Sequence, residues 1–173
     1  SKYSVDFYCF TEFPGNLDPS IIVRDLPDLK GSEFAYRKEA GLCDDNLGGL
    51  AGQRVIFFDL DSVICGNLDC LVDFMDTDQP YITRDYGRDS DEVGGSNLYS
   101  WVVGSLGFIK KHYENNTDEV LKNFGTASQE YLSAQIIKKF GHLNFFPNRW
   151  HISFKKHCLR IWPLNFILRP KKP

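Results

Sequence analysis

The sequence predicts a single α/β domain, residues 1–173, in which helices flank a mixed sheet. Short runs of β-branched and aromatic residues alternate along the chain with segments whose apolar residues recur at helical spacing, an alternation typical of an α/β sheet. The length of 173 residues and the hydrophobic fraction of 42% fit one globular domain with a sizeable core.

The predicted elements follow from this periodicity. Strands are predicted at residues 4–10, 21–24, 55–58, 81–84 and 97–103, with a last strand spread over 145–154. Helices or helical turns are predicted at residues 31–40, 68–75, 106–112, 117–124 and 129–140. Loops are predicted at the Gly- and Asp-rich residues 40–52 and at the charged residues 85–95.

Two carboxylates follow the strand predicted at residues 55–58, which we expect to be a buried central strand. Asp59 and Asp61 enclose Leu60, and alternate residues of an extended segment point the same way, so both acids are predicted on one side and Leu60 on the other. A hard divalent cation would remove the repulsion between the carboxylates. The alternative is a solvated strand end without a ligand, because short motifs of this kind are common.

Composition narrows the class of protein. The formal net charge of −3 gives no reason to expect a nucleic-acid surface, and no apolar run reaches transmembrane length. Five cysteines without CxxC spacing favour a reducing compartment, so we expect a cytoplasmic location. The C-terminal stretch is basic and predicts either peripheral contact with anionic lipid or phosphates, or a solvated tail. Its basic residues are Arg149, Lys155, Lys156, Arg160, Arg169, Lys171 and Lys172.

The residues around the two carboxylates resemble a known family. FFDLDSVICGNLDCL, at residues 57–71, resembles the DxD signature of metal-dependent GT-A glycosyltransferases close to family 8 and its small bacterial and viral relatives. Further segments resemble the family in its own order: FYCFTE at 7–12, RDLP at 24–27, ITRDY at 82–86, GSNLYSW at 95–101, and FP with ISFK between 146 and 155.

The resemblance implies a GT-A, Rossmann-like fold and the transfer of a sugar from a UDP- or dTDP-sugar to a glycan or glycoconjugate acceptor, as in polysaccharide biosynthesis. It implies Mn2+ or Mg2+ as cofactor. Three departures stand out. The family's first strand–helix unit would precede Ser4, so residues 1–173 are expected to lack it or to be preceded by it. Ser128 stands where the family often has Asp, and no Gly-x-x-Lys follows His151 or His157.

The resemblance also suggests roles for individual residues. Asp61 would ligate the metal directly, while Asp59 would share it or bind the ribose hydroxyls. His157 is the expected third ligand because it lies beside two lysines, with His151 as the second choice and an ordinary surface or core histidine as the alternative. The candidate donor-binding residues are Thr11, Arg37, Lys38, Asp59, Leu60, Asp61, Ser96 and Lys155.

Among these, Lys155 with Arg37 or Lys38 would add positive charge at the diphosphate, and solvated surface charge is the alternative. Thr11 would touch the base or simply cap a strand end. Asp85 is the candidate catalytic base if the enzyme inverts. Arg84, the second candidate, could instead hold Asp85 in an ion pair.

Two other functions stay open from the sequence. A non-catalytic nucleotide-sugar-binding relative would keep the motifs without turnover, and the missing first unit and Ser128 favour it. A phosphate-handling hydrolase would fit because DLDSV is similar to the DxD of haloacid-dehalogenase phosphatases. In those enzymes the motif comes early in the chain, whereas two predicted strands precede it here.

Overall fold

The computed structural model describes residues 1–31, 34–88 and 90–158 and, within them, all side chains but those of Lys155 and Lys156. The strands are β1 (Phe7–Phe10), β2 (Ile21–Arg24), β3 (Arg54–Phe58), β4 (Tyr81–Arg84), β5 (Gly94–Val102) and β6 (Asn144–Phe145). The helices are α1 (Tyr36–Glu39), α2 (Asp69–Phe74), α3 (Gly107–Asn115), α4 (Thr117–Phe124) and α5 (Ser128–Phe140).

Four strands form a mixed sheet in the order β3-β5-β4-β6. The long strand β5 pairs antiparallel with β3 on one side and with β4 on the other, and β6 runs parallel to β4. A separate pair, β1 and β2, is parallel. Helices flank the sheet, so the predicted mixed α/β domain is confirmed at this level.

Strand β3 lies at one edge of this sheet, and all five of its residues are half-buried. The prediction of a buried central strand is therefore wrong. Val55 and Phe57 pack against one apolar cluster, while Ile56 and Phe58 pack against another. An unbroken apolar run shows that both faces of a strand are covered, but it does not show how many strands pair with it.

The larger apolar cluster joins α1, α3, α4 and α5 to the sheet around three fully buried tyrosines. The rings of Tyr36 and Tyr113 stack with centroids 4.7 Å apart, and Tyr131 packs edge-on to Tyr36 at 5.6 Å. Each hydroxyl donates to a backbone carbonyl: Tyr36 to Gly125, Tyr113 to Gly31 and Tyr131 to Ile109. This core therefore buries three polar groups without leaving their hydroxyls unpaired.

The two central strands approach each other closely where β5 begins. The β4–β5 register shifts between Ile82 and Thr83, which indicates a bulge. A Cβ atom at Gly94 would lie 2.6–2.8 Å from three side-chain atoms of Ile82. Gly94 therefore permits the backbone of β5 to pack directly on the buried Ile82 side chain.

The closing segment differs from its prediction. Instead of a strand over residues 145–154, pairing is confined to β6, and Pro147 follows Phe146, which makes the last sheet-like hydrogen bond, from its N–H to the Ile82 carbonyl at 3.0 Å. Proline has no N–H to continue a ladder. The chain then forms a 3-10 turn at Asn148–Trp150 and a π-helical turn at Phe154–Cys158.

Most other predicted elements are confirmed, some with the predicted bounds and others with shifted ends. β2, β4 and α4 have the predicted bounds, whereas α1 is only a single turn within the predicted 31–40. No helix in the described part of the chain has the length and apolar character needed to cross a bilayer. All five cysteines fall within the described ranges, and all are free thiols.

Candidate functional site

The DxD segment forms a turn directly after β3. The Asp59 N–H still donates to the Asn97 carbonyl at 3.0 Å, and the Ser62 N–H then donates to the Asp59 carbonyl at 2.9 Å. Leu60 is 99% exposed, and Asp61 is also exposed. The extended geometry assumed from the sequence thus ends at Asp59, and Leu60 and Asp61 are both exposed to solvent.

Asp59 is held by a lysine from α1. The Lys38 ammonium lies 3.1 Å from both carboxylate oxygens of Asp59 and 3.3 Å from Oε1 of Glu39. The Ser96 hydroxyl donates to the same Glu39 oxygen at 2.6 Å. Three predicted donor-binding residues, Lys38, Asp59 and Ser96, are therefore connected in one network. Ser96 is only 3% exposed, so it lies in the buried part of this network.

A cavity of about 300 Å³ opens beside the end of β4. Residues 83–88 form one wall, and residues 146–148 with His151 and His157 form the other. The predicted catalytic residues Arg84 and Asp85 both line it, as does the predicted metal ligand His157. The fold thus gathers the ITRDY segment and the closing segment around one concave site.

Tyr86 connects the two walls. Its ring stacks on His151 with centroids 5.3 Å apart, its hydroxyl is hydrogen-bonded to His151 Nδ1, and the His157 ring packs edge-on at 5.3 Å. Burial raises the pKa of the Tyr86 hydroxyl, so the phenol is neutral at physiological pH. The cavity therefore has an aromatic wall built from three rings.

His151 links the cavity to the DxD turn. Burial lowers the pKa of this half-buried histidine below its usual 6.5, while the charges of Asp59 and Asp61 act in the opposite direction. The sequence ranked His151 below His157, although His151 is half-buried in the cavity wall and His157 is exposed.

The predicted metal set of Asp59, Asp61 and His157 is not assembled. Within residues 1–31, 34–88 and 90–158, no group of three His, Cys, Asp or Glu side chains has a geometry that could hold a metal ion. His157 is exposed, and its Nδ1 lies 2.9 Å from the Ser153 nitrogen. The two carboxylates still suit Mn2+ or Mg2+ by donor type, but the Lys38 ammonium occupies both oxygens of Asp59.

The predicted ion pair between Arg84 and Asp85 is not formed. Arg84 pairs with Asp91 instead, and its guanidinium carbon lies 4.2 Å from the centre of the Phe145 ring. Asp85 accepts a hydrogen bond from the Gly87 N–H at 2.8 Å. Arg84 and Asp85 therefore have separate partners, although both line the cavity.

Arg88 is the cation beside Asp85, and sequence reasoning missed it. Its Nε lies 3.8 Å from the Asp85 carboxylate, and its guanidinium is 2.5 Å from Glu130 in the first turn of α5. Gln129 completes the group with an amide 3.4 Å from Asp85. Only the i,i+3 spacing of Asp85 and Arg88 hinted at this arrangement in the sequence.

The remaining predicted residues lie elsewhere. The Thr11 hydroxyl accepts the Phe13 N–H at 3.0 Å, which is the capping role given as its alternative. Arg37 forms its ion pair with Glu12, at 3.5 Å, and not with an acid of the DxD turn. The Lys155 side chain lies outside the described residues, as do the basic residues Arg160, Arg169, Lys171 and Lys172.

Comparisons of the chain with protein-family models, with curated proteins and with solved structures found no match. Family membership therefore stays a prediction from the motifs. The site itself consists of the DxD turn with Lys38, and the neighbouring cavity with Asp85, Tyr86 and His151.

Proposed function

We propose that the protein is a metal-dependent glycosyltransferase that moves a sugar from a UDP- or dTDP-sugar to a glycan or glycoconjugate acceptor. The observation that carries the proposal is the position of Asp59 and Asp61 in a turn at the carboxyl end of β3, with the Lys38 ammonium 3.1 Å from both oxygens of Asp59. In α/β sheets, ligands collect at such strand ends.

The chemistry of this transfer matches the residues present. The leaving diphosphate must be neutralised, and a divalent metal does this as a Lewis acid when it is bound. Asp59 and Asp61 would hold the metal, with His151 or His157 as a nitrogen ligand. Lys38 keeps a positive charge beside Asp59, where the diphosphate would bind.

The cavity is the proposed site for the sugars. Its volume of about 300 Å³ lies at the lower end of the range for small-molecule sites, ~300–1,000 Å³. Asp85 lines it and is the proposed base for the acceptor hydroxyl if the enzyme inverts, whereas a retaining enzyme would not need this base. Gln129 and Glu130, beside Asp85 and Arg88, offer further groups to sugar hydroxyls.

Calorimetric titration of UDP, dTDP and GDP, with and without Mn2+, tests the proposal. One nucleotide should bind in a metal-dependent way, and Asp61→Ala should weaken that binding about tenfold or more, the loss expected from one charge-assisted contact. Asp78→Ala is the matched control, because the Asp78 side chain is fully exposed and pairs only weakly, at 3.8 Å, with Arg54. A nucleotide affinity that is the same with and without Mn2+, and the same in Asp61→Ala as in wild type, would contradict the proposal.

Turnover separates the transferase from the other two functions. Mn2+-dependent hydrolysis of the sugar conjugate of the nucleotide that binds would support an enzyme, because glycosyltransferases slowly transfer their sugar to water. Binding without hydrolysis would favour the non-catalytic relative. Cleavage of a generic phosphomonoester would favour the phosphate-handling hydrolase.

A further inference from the structure

The Lys38 ammonium lies between two carboxylates of very different exposure. It contacts Asp59, whose side chain is 28% exposed, and Glu39, whose side chain is only 3% exposed. The distances to the two acids are nearly equal, 3.1 Å and 3.3 Å. Lys38 is thus shared between the DxD motif and a buried acid that the proposed reaction does not use.

Glu39 needs this cation. Ser96 donates to its Oε1 at 2.6 Å, but its buried Oε2 has no hydrogen-bond partner within the described part of the chain. A buried carboxylate that loses its counter-ion is strongly destabilising. Lys38 is also the one cation that the described residues place in an ion pair with Glu39. We therefore expect Lys38 to stay with Glu39 whatever happens at Asp59.

A divalent metal and the ammonium cannot occupy Asp59 together. Lys38 lies against both oxygens of this carboxylate, and these are the oxygens through which Asp59 would bind a metal. Two like charges at such close range repel strongly where solvent is partly excluded. The carboxylate of Glu39, whose Oε2 has no hydrogen-bond partner among the described residues, gives the ammonium a second acceptor.

We infer that Lys38 is a built-in competitor for the metal: it holds Asp59 when no metal is bound and shifts fully onto Glu39 when a metal binds. The inference rests on the proposed function, because it takes the DxD turn to be a metal site. It assigns Lys38 and Glu39 to the control of metal loading. Lys38 is then a positioning residue for Asp59.

Titration of Mn2+ alone tests the competition. Lys38→Met removes the competitor and should tighten Mn2+ binding about three- to fivefold, the upper part of the range expected from one partly exposed ion pair. Arg37→Met is the matched control, because it removes the same charge from the neighbouring residue, which pairs with Glu12 rather than Asp59. Its Mn2+ affinity should stay within about twofold of wild type, since exposed charges are screened.

A double-mutant cycle with Glu39→Gln separates competition from a general charge effect. In wild type, Glu39→Gln removes the second acceptor for Lys38 and should weaken Mn2+ binding. In the Lys38→Met background it should have little effect, because no ammonium remains to be displaced. Equal weakening in both backgrounds would overturn the inference. The double variant also removes the unpaired buried charge, so it provides the comparison with Glu39→Gln if Lys38→Met does not fold.

The remaining outcomes are also decisive. If wild type binds Mn2+ and Lys38→Met binds it no more tightly, the competition is wrong while the metal-dependent function stands. If neither wild type nor either Lys38→Met variant binds Mn2+, the metal site itself is wrong, and both the proposed function and the inference fall.

Discussion

Tyr86 and His151 are separated by 65 residues in the chain, yet their rings stack with centroids 5.3 Å apart, and a hydrogen bond joins the Tyr86 hydroxyl and His151 Nδ1. The contact joins the loop after β4 to the segment that follows β6. It also places a titratable imidazole in the cavity wall.

This contact predicts how stability depends on pH. Burial lowers the pKa of His151 in the folded protein below the 6.5 of the unfolded chain, so the unfolded chain takes up a proton first as the pH falls. The stability that neutral His151 contributes is complete above pH 6.5 and is lost as the pH falls towards the folded pKa. Urea unfolding at a series of pH values should show this loss, and His151→Asn should reduce it. An unchanged pH dependence in His151→Asn would contradict the expectation.

NMR titration of His151 tests whether the DxD turn lies near this histidine. Because the charges of Asp59 and Asp61 raise its pKa, Asp59→Asn and Asp61→Asn should each lower the pKa further. Asp78→Asn, a fully exposed acid beside Arg54, should leave it unchanged. If neither DxD substitution moves the titration, the DxD turn and the cavity are not neighbours.

The loop that begins at Asp85 should loosen when Arg88 is removed. Arg88 is the ion-pair link from this loop to Glu130 in α5, at 2.5 Å. Arg88→Met should therefore speed amide hydrogen exchange in the loop and at the start of α5, while the free energy of unfolding falls by less than about 1 kcal/mol, as for other exposed pairs.

Arg84→Met is the control for this experiment. It removes a guanidinium from the same cavity, but the partner of Arg84 is Asp91, within the same polar stretch of chain. Exchange at the start of α5 should therefore stay at the wild-type rate. If both variants speed amide hydrogen exchange at the start of α5 equally, the ion pair of Arg88 with Glu130 is not what holds the loop against α5.

Gly94→Ala should destabilise the protein by about 1–3 kcal/mol, the usual cost of overpacking a core. The added Cβ would lie 2.6 Å from Cδ1 of Ile82, which is buried and has little room to move. Ile82→Val removes that nearest atom, so the double variant should lose less free energy of unfolding than the sum of the single variants. Urea denaturation measures all three.

The control for Gly94 is Gly41→Ala. Apart from its chain neighbours and the backbone of its own helical turn, no atom lies within 4 Å of a Cβ at Gly41, and its φ is not positive. This variant should be at least as stable as wild type, because alanine reduces the entropy of the unfolded chain. A loss as large as that of Gly94→Ala would show that the contact with Ile82 is not the cause.

Local elements could be predicted from the sequence, but their neighbours could not. The bounds of β2, β4 and α4 follow from residues in contact along the chain, and the prediction found them. The edge position of β3 depends on which strands pair with it, and no local pattern carries that information. The closing strand failed at Pro147, since a proline that cannot donate a hydrogen bond outweighs the β propensity of the residues around it.

The site shows the same division. Residue types predicted Asp59 and Lys38 as partners in one functional region, and the structure brings them within 3.1 Å. The sequence did not predict that Ser96 would be buried or that Arg88 would replace Arg84 beside Asp85. Burial and pairing are set by the sheet register and by the path of the loop, and these emerge only when the strands assemble.

The contact between Tyr86 and His151 also has a consequence during synthesis. At the usual ~5–20 residues per second, a ribosome needs about 3–13 s to make the 65 residues between the two partners. The DxD turn and β4 leave the ribosome first, while the wall formed by residues 146–157 does not yet exist. During this interval the nascent chain carries the acidic motif without the wall that His151 and His157 add to the cavity.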